Sequence, residues 1–184
     1  KENNLKIKDG SNSFVWNMRY KNAEGFDGLI MWAASLTGPK AIPGKYFTKL
    51  TVNGESKETE FFILKDERSN STINDLKDQF NFLIEIRDKV TEIHQSISDM
   101  RLIVNQINTF KSKIENNKEI IIKMNNLIDK INIIQNNLYQ TKNRSRQDPL
   151  NYPIKLNNKL AHLSSVASNG NYKPTDQMIE VKNE

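Results

Sequence analysis

The pattern of apolar and polar residues changes its period near residue 70. Before that point apolar side chains alternate with polar ones, most clearly at Phe14, Trp16, Met18 and Tyr20. A period of two residues is typical of a half-buried β-strand, whereas a period near 3.5 is typical of packed helices. We therefore predict an α+β protein, with a sheet domain over residues 1–68 and a helical domain over residues 71–184.

The sheet half is predicted to be an antiparallel immunoglobulin-like or fibronectin-like domain. A short strand at Leu5 and Ile7 and an apolar strand at residues 29–34 flank the alternating segment. Two further strands, at residues 45–52 and 57–64, enclose Asn53-Gly54, which is a strong hairpin signal because both turn positions require positive φ. These four or five strands are fewer than the seven of such folds. Either further strands precede Lys1 in a longer protein, or the sheet packs on the helices.

The helical half is predicted to be an up-down bundle of three helices and a C-terminal stub. We expect helices at about residues 72–114, 118–142, 155–168 and 175–184. The first carries two rows of apolar residues seven apart, which are Leu76, Leu83, Val90, Ile97 and Val104, and Ile86, Ile93, Met100, Ile107 and Ile114. The second carries a seam at Ile120, Met124, Leu127, Ile131, Ile134 and Leu138. Such seams pack against one another within the chain, or form a coiled coil with a partner.

Composition and charge exclude several classes of function. The longest apolar run has six residues (29–34), so no membrane-spanning helix is expected. The chain has no Cys, which excludes thiol catalysis and disulfides. The net charge is +5, but 21 of the 27 cations are Lys mixed with acids along the chain, and the densest group is Lys142, Arg144 and Arg146. Nucleic-acid binding needs a clustered basic patch, so we expect no nucleic-acid partner.

No catalytic, cofactor-binding or metal-binding residue is predicted, and we expect that this chain is not an enzyme. His94 and His162 have no partner motif, and we expect structural roles for both, with His94 on the flank of its helix. Two pairs of neighbouring acids, Glu24 with Asp27 and Asp66 with Glu67, resemble the carboxylates of glycosidases only in being paired. Adjacent surface acids are ordinarily solvated, so the pairs carry no prediction of catalysis.

A small set of residues is predicted as a candidate interaction surface, namely Trp16, Tyr20, Trp32, Asn151 and Tyr152. Aromatic rings stack on sugars, so a carbohydrate-binding module that uses Trp16 and Trp32 is an alternative function. The competing interpretation is that Trp16 belongs to the sheet core, because it shares the alternating face of Phe14 and Met18. A protein-interaction subunit that uses the helical bundle is a further alternative.

Several segments resemble a known group of proteins. They are residues 13–20 (SFVWNMRY), 28–32 (GLIMW), 38–46 (GPKAIPGKY), 147–160 (QDPLNYPIKLNNKL) and 174–177 (PTDQ). Together they are similar to the C-terminal region of large exported bacterial proteins with sortilin-like, BNR (Asp-box) β-propellers, which are commonly labelled glycosyl hydrolases. Residues 147–160 are the most specific part of the resemblance. Asn17 stands where that family usually has Asp.

The resemblance implies an exported, non-catalytic accessory module beside a propeller, partnered by the rest of its own parent chain or by another protein. It transfers no catalytic residue, because the Asp-box repeat is absent from the sequence. The chain starts at Lys1, and family helices continue past the position of Glu184. On both grounds we expect the chain to be a piece of a longer protein.

Overall fold

The structure, a computed structural model, describes residues 7–114 and 117–184. It confirms an α+β chain in which a two-stranded antiparallel sheet precedes four α-helices. The strands are β1 (Gly44–Val52) and β2 (Glu55–Ile63); the helices are α1 (Ile73–Lys111), α2 (Lys118–Leu138), α3 (Leu156–Ala167) and α4 (Asp176–Asn183). A short 3-10 helix lies at Asp148–Leu150. No helix in the described ranges is long and apolar enough to cross a membrane.

The predicted hairpin is confirmed. Asn53 and Gly54 have φ of 51° and 87°, the positive values that a type I′ turn requires. The register then runs from Val52 opposite Glu55 to Gly44 opposite Ile63. Within the described part of the chain each strand pairs only with the other, so both outer edges of the ribbon are open.

The two strands predicted upstream are wrong. Residues 14–20 form only an isolated bridge between Arg19 and Lys40, because Met18 has φ of 55° and interrupts the extended run. Residues 29–34 bend at Ala33, which has φ of 47°. Of the short strand predicted at Leu5 and Ile7, Leu5 lies outside the described residues. The immunoglobulin-like identity of the sheet half is therefore not confirmed.

The helices begin where the sequence supplies caps. Thr72 accepts a hydrogen bond from the backbone N–H of Asp75 and Asp75 accepts one from the N–H of Thr72, a reciprocal capping box. α1 is 39 residues long, or about 58 Å at ~1.5 Å per residue. α2 ends at Leu138 rather than near residue 142, because Tyr139 takes an extended backbone (φ −138°, ψ 143°).

The main core lies along the first half of α1. Phe82, Leu83, Ile86 and Val90 pack against small residues of α3 and against a segment of the irregular N-terminal region. The members outside α1 are Ala23, Met31, Ala34, Leu36, Leu160, Ala161, Leu163, Ala167 and Met178. This core joins residues on both sides of the predicted domain boundary near residue 70.

Beyond Arg101, whose guanidinium lies 4.5 Å from the ring centre of Phe26, α1 packs against α2 as an antiparallel helical hairpin. The predicted seam of α1 holds there, but the predicted seam of α2 is partly wrong. Ile121 and Ile128 face α1, whereas Ile120, Leu127 and Ile134 are 38%, 47% and 54% exposed. The reason is that α2 carries two adjacent apolar rows. Within each row the residues are seven apart, and only one of the rows can face α1. Because α3 packs mainly on α1, a three-helix bundle is not confirmed.

Candidate functional site

A buried polar network fixes residues 24–33 to the helices. His94 is 1% exposed, and its Nδ1 lies 2.7 Å from the carbonyl oxygen of Glu24. Its Nε2 lies 3.2 Å from Nδ2 of Asn157. Since the amide nitrogen can only donate, Nε2 accepts and Nδ1 carries the proton that is donated to Glu24. Burial lowers the pKa of His94, so the neutral ring is favoured. The prediction of His94 on a helix flank is wrong.

Three further side chains hold the same segment. The amide of Asn158 accepts from the backbone N–H of Trp32 at 2.6 Å and donates to its carbonyl at 2.8 Å. The hydroxyl of Tyr139 donates to Gly28 O and accepts from the N–H of Ile30, both at 3.2 Å. His162 Nδ1 lies 2.6 Å from the carbonyl oxygen of Ala33. We call this set, His94, Tyr139, Asn157, Asn158 and His162, the loop clamp.

The loop clamp explains part of the unusual segment 147–160. Asn157 is 1% exposed and binds His94, and Asn158 is 4% exposed and binds the loop at Trp32. Neither side chain caps a helix end. Sequence analysis missed Tyr139 and the pairing of Asn158 with Trp32, because these contacts join residues more than 100 positions apart. Two adjacent Asn at the start of an apolar helix were the available signal. Both nitrogens of His94 are occupied, Nδ1 by the loop and Nε2 by Asn157 of α3.

One acid of each pair singled out in the sequence, Glu24 or Asp66, has a lowered pKa. The carboxylate of Glu24 pairs with Lys21, whose hydrogen bond lowers the pKa of Glu24. Arg68 binds both oxygens of Asp66 at 3.0 and 2.8 Å, and this lowers the pKa of Asp66. A glycosidase acid needs a raised pKa instead. Across residues 7–114 and 117–184 no three His, Asp or Glu side chains are grouped so as to hold a metal ion.

The five predicted interaction residues lie in three separate places. Trp16 is half-buried at the base of the β-hairpin, with its ring centre 5.9 Å from that of Tyr46 and 6.2 Å from that of Phe61. Its indole N–H donates to Arg19 O at 3.1 Å. Tyr20 packs edge-on against Phe80 at 4.7 Å. These contacts give Trp16 and Tyr20 packing roles.

The other three lie elsewhere. Trp32 is 38% exposed on the clamped loop. Asn151 and Tyr152 are exposed in the turn after the 3-10 helix, where the ammonium of Lys142 lies 5.6 Å from the Tyr152 ring centre. The structure thus does not bring the five together into one surface. The glycan-binding alternative stays a prediction that rests on Trp32.

Two rows of exposed apolar residues lie on one side of the α1–α2 hairpin. In heptad terms, the seam positions of α1 are Ile97, Met100, Val104, Ile107, Lys111 and Ile114, and those of α2 are Ile121, Met124, Ile128, Ile131, Gln135 and Leu138. The residues just before the first position of each heptad (the g positions) are Ile103, Phe110, Ile120, Leu127 and Ile134. They are 38–54% exposed. We call these five residues the hairpin side face.

Contacts across the hairpin show that the five residues share one side. In an antiparallel pair the e positions of both helices face one side and the g positions face the other. Arg101, an e position, meets Tyr139, the first residue after α2, with the guanidinium 5.6 Å from the ring centre. The g positions therefore line the opposite side together. Farther along the e side the exposed residues are Asn108, Asn125 and Asn132, so the two sides differ in polarity.

Basic residues border the hairpin side face. Lys123 and Lys130 occupy c positions next to it, and Lys113 follows the end of α1; all three are exposed. Lys123 pairs with Glu119 one turn away at 2.6 Å. Lys113 and Lys130 have no ion pair among the described residues. Asp99 is the acidic c position, at the end of the face near the core.

Comparison of the chain with protein-family models, with curated proteins and with solved structures gives no match.

Proposed function

We propose that this chain is a non-catalytic interaction module, and that the hairpin side face binds one amphipathic α-helix of a partner protein with acidic residues beside its apolar seam. One observation carries the proposal: α1 and α2 both direct a row of large apolar residues to the same side, and these residues are 38–54% exposed. Contiguous exposed apolar patches larger than a few hundred Å² mark interaction sites.

The shape of the face favours a helix as its occupant. Two apolar rows run along the hairpin, and a partner helix laid between them would form a three-helix bundle with α1 and α2. Helix-in-groove recognition uses anchors at i, i+3, i+4 and i+7, which match rows with seven-residue spacing such as Ile120, Leu127 and Ile134.

The charges beside the face favour an acidic partner. Lys113, Lys123 and Lys130 would lie next to the flanks of the incoming helix. A second copy of this chain would bring the same lysines into the interface, where like charges repel. We therefore infer a different polypeptide with Glu or Asp at its flanking positions.

Two designed peptides with the same Leu/Ile seam test this proposal, one with Glu flanks and one with Lys flanks. We expect saturable binding by fluorescence anisotropy, with the Glu peptide preferred about tenfold at low salt, since three charge pairs of ~0.3–0.5 kcal/mol each add to about that factor. Absence of binding, or equal binding of both peptides, would contradict the proposal.

A matched pair of double variants locates the binding. Phe110→Ser with Leu127→Ser removes apolar area from the hairpin side face, and Asn108→Ser with Asn132→Ser changes the opposite side. We expect only the first pair to abolish binding, while far-UV circular dichroism shows both helical. Sedimentation equilibrium without peptide adds a second test: a dimer that the first pair dissociates would assign the face to a second copy.

The resemblance of residues 147–160 supports a second part of the proposal, namely that the module belongs to the C-terminal region of an exported β-propeller protein. The open edges of the β1–β2 ribbon fit this context, because an isolated two-stranded ribbon is marginally stable. Strands from elsewhere in the parent could pair with those edges to complete an immunoglobulin-like sheet. The coding sequence upstream of Lys1 tests this: a parent without Asp-box repeats would contradict it.

Assays of the isolated chain test its non-catalytic role. We expect no turnover of peptidoglycan, glycans or peptides. Hydrolysis that is lost in Asp66→Asn with Glu67→Gln, or in Glu24→Gln with Asp27→Asn, would overturn that part of the proposal.

A further inference from the structure

A cleft of about 460 Å³ opens where the segment 40–43, the end of β2, the start of α1 and the α3–α4 connection meet. Small-molecule sites range over roughly 300–1,000 Å³, so the cleft has the size of a ligand site. None of its lining residues belongs to the hairpin side face. Ligand binding here is therefore independent of the proposed partner helix.

The cleft has an apolar floor. Leu76, Phe80 and Leu83 come from one face of α1. Ile42 lies just before β1 and Ile63 is the last residue of β2. Leu83 is 5% exposed and anchors the floor in the core, and the other four are half-buried. Such a surface binds hydrocarbon by removing it from water.

Cations stand around this floor. Arg19, Lys40 and Lys65 line the cleft, and among the residues that the structure describes its one acidic lining residue is Asp66. Both oxygens of Asp66 are bound by Arg68, and this hydrogen bonding lowers the pKa of Asp66. Its charge is thus offset by a cation that is not in the lining. The rim consequently has an excess of positive charge.

Backbone contacts hold the cationic rim in place. Arg19 and Lys40 face each other in an isolated bridge, with Tyr20 N donating to Pro39 O at 2.9 Å and Ala41 N donating to Met18 O at 2.7 Å. Arg19 Nη1 also donates to Gly38 O at 2.9 Å, which fixes the guanidinium plane and leaves its other N–H groups for a ligand. A fixed donor loses less entropy on binding.

The opposite wall is fixed as well. Gln79 Nε2 donates to Ala167 O at 2.7 Å and to Gly170 O at 3.0 Å, which ties α1 to the α3–α4 connection. Lys65 Nζ donates to Ser69 O, so its ammonium stays at the mouth of the cleft. The cleft is thus formed before any ligand arrives.

We propose that this cleft binds a small amphiphilic anion, with its apolar chain or ring on the floor of Leu76, Phe80 and Ile63 and its carboxylate or phosphate head on Arg19, Lys40 and Lys65. A guanidinium beside ammonium groups suits either head group, because it donates two parallel hydrogen bonds to paired oxygens. A neutral or cationic amphiphile lacks these bonds.

Amide NMR of the whole chain with four eight-carbon probes tests the proposal: octanoate, octyl phosphate, octanol and octylamine, with acetate as a head group without a chain. We expect saturable shifts at Ala41, Lys65 and Gly170 with octanoate, with octyl phosphate or with both, and weak or no shifts with the others. The stronger of the two anions identifies the head group. Equal binding of octanol or octylamine, or no saturable shift with either anion, would overturn the proposal.

Charge variants locate the head group. Lys40→Glu is exposed and leaves the fold intact, and we expect it to raise the Kd of the anionic probe about tenfold, the loss of one charge-assisted hydrogen bond. Lys159→Glu, an exposed change on α3 outside the cleft, is the matched control and should leave the Kd unchanged. If Lys40→Glu and Lys65→Gln both leave the Kd unchanged, the anion does not bind at this rim and the proposal fails.

Discussion

The two halves of α1 carry the same apolar repeat but have different surroundings. From Phe82 to Ile97 the helix is covered on several sides, and it buries six side chains, including a histidine. Beyond Arg101, whose guanidinium lies over the ring of Phe26, it packs on α2, and its seam residues Val104 and Ile107 remain half-buried. A heptad repeat therefore indicates that a helix packs against something, but the number of its neighbours depends on segments far away in the sequence.

The difference also determines which polar residues are buried. In the covered half, His94 and the asparagines of α3 are buried and hydrogen-bonded: His94 and Asn158 bond a loop that crosses the helix, and Asn157 bonds His94. On the hairpin that the uncovered half forms with α2, Asn108, Asn125 and Asn132 remain exposed on the side without apolar rows. Burying a polar group costs free energy unless the group is hydrogen-bonded. The loop and the loop clamp therefore stabilise each other.

The largest expected effect contrasts one isoleucine from each half. Ile86→Ala should lower the free energy of unfolding by about 3–4 kcal/mol, because Ile86 is 1% exposed and its loss leaves a cavity. Ile107→Ala should cost about 1–1.5 kcal/mol, since solvent already reaches this half-buried side chain. Urea denaturation followed by circular dichroism measures both. Equal losses would show that the two halves are equally well packed.

The next effect tests whether the loop clamp belongs to the covered half. Asn158→Ala should cost about 2–3 kcal/mol, because it leaves the backbone N–H and C=O of Trp32 without their partner. Asn126→Ala, an exposed change on α2, should stay within about 0.5 kcal/mol. If Asn158→Ala is equally mild, water replaces the amide and the clamp contributes little to stability.

A smaller effect depends on pH. Burial lowers the pKa of His94 in the folded state, so below about pH 6.5 the unfolded chain binds a proton there that the folded chain does not. The free energy of unfolding should fall as the pH drops from 7 towards 5.5, by up to about 1.4 kcal/mol per unit. The carboxylates with lowered pKa, such as Asp66 and Asp148, act only at lower pH.

Denaturation of His94→Gln at the same pH values checks the assignment. We expect this variant to be less stable at pH 7, with a flatter dependence between pH 7 and 5.5. An unchanged slope would show that another group binds the proton.

Local signals predicted the parts of the fold that depend on neighbours in sequence. The Asn53-Gly54 turn and the four helices follow from turn chemistry and apolar periodicity within each segment. The strands predicted at residues 14–20 and 29–34 were wrong. An alternating or apolar pattern also occurs in an irregular segment that crosses a helix and whose backbone groups bond side chains of the helices.

The candidate sites were harder to foresee. Two apolar rows on α2 are visible in the sequence, but only the packing shows that Ile121 and Ile128 face α1 and that Leu127 faces outward. The cleft joins Lys40, Lys65 and Gly170 across 130 residues, and no periodic pattern connects them. Sequence patterns identify elements, whereas sites formed between elements depend on long-range contacts.

The smallest effect tests whether the loop over α1 owes its shape to the clamp. Ala33 has φ of 47°, which costs an L-residue about 1 kcal/mol, while the carbonyl of Ala33 and both backbone groups of Trp32 are held by α3. Ala33→Gly removes that strain but adds entropy to the unfolded chain, so we expect a change between zero and about +1 kcal/mol in the free energy of unfolding. Ala34→Gly, at a half-buried position outside the positive-φ region, should instead cost about 1 kcal/mol. Thermal unfolding of the two variants compares them directly. If Ala33→Gly lowers the free energy of unfolding as much as Ala34→Gly does, the positive φ of Ala33 carries no strain. The loop would then bend at this position without the loop clamp.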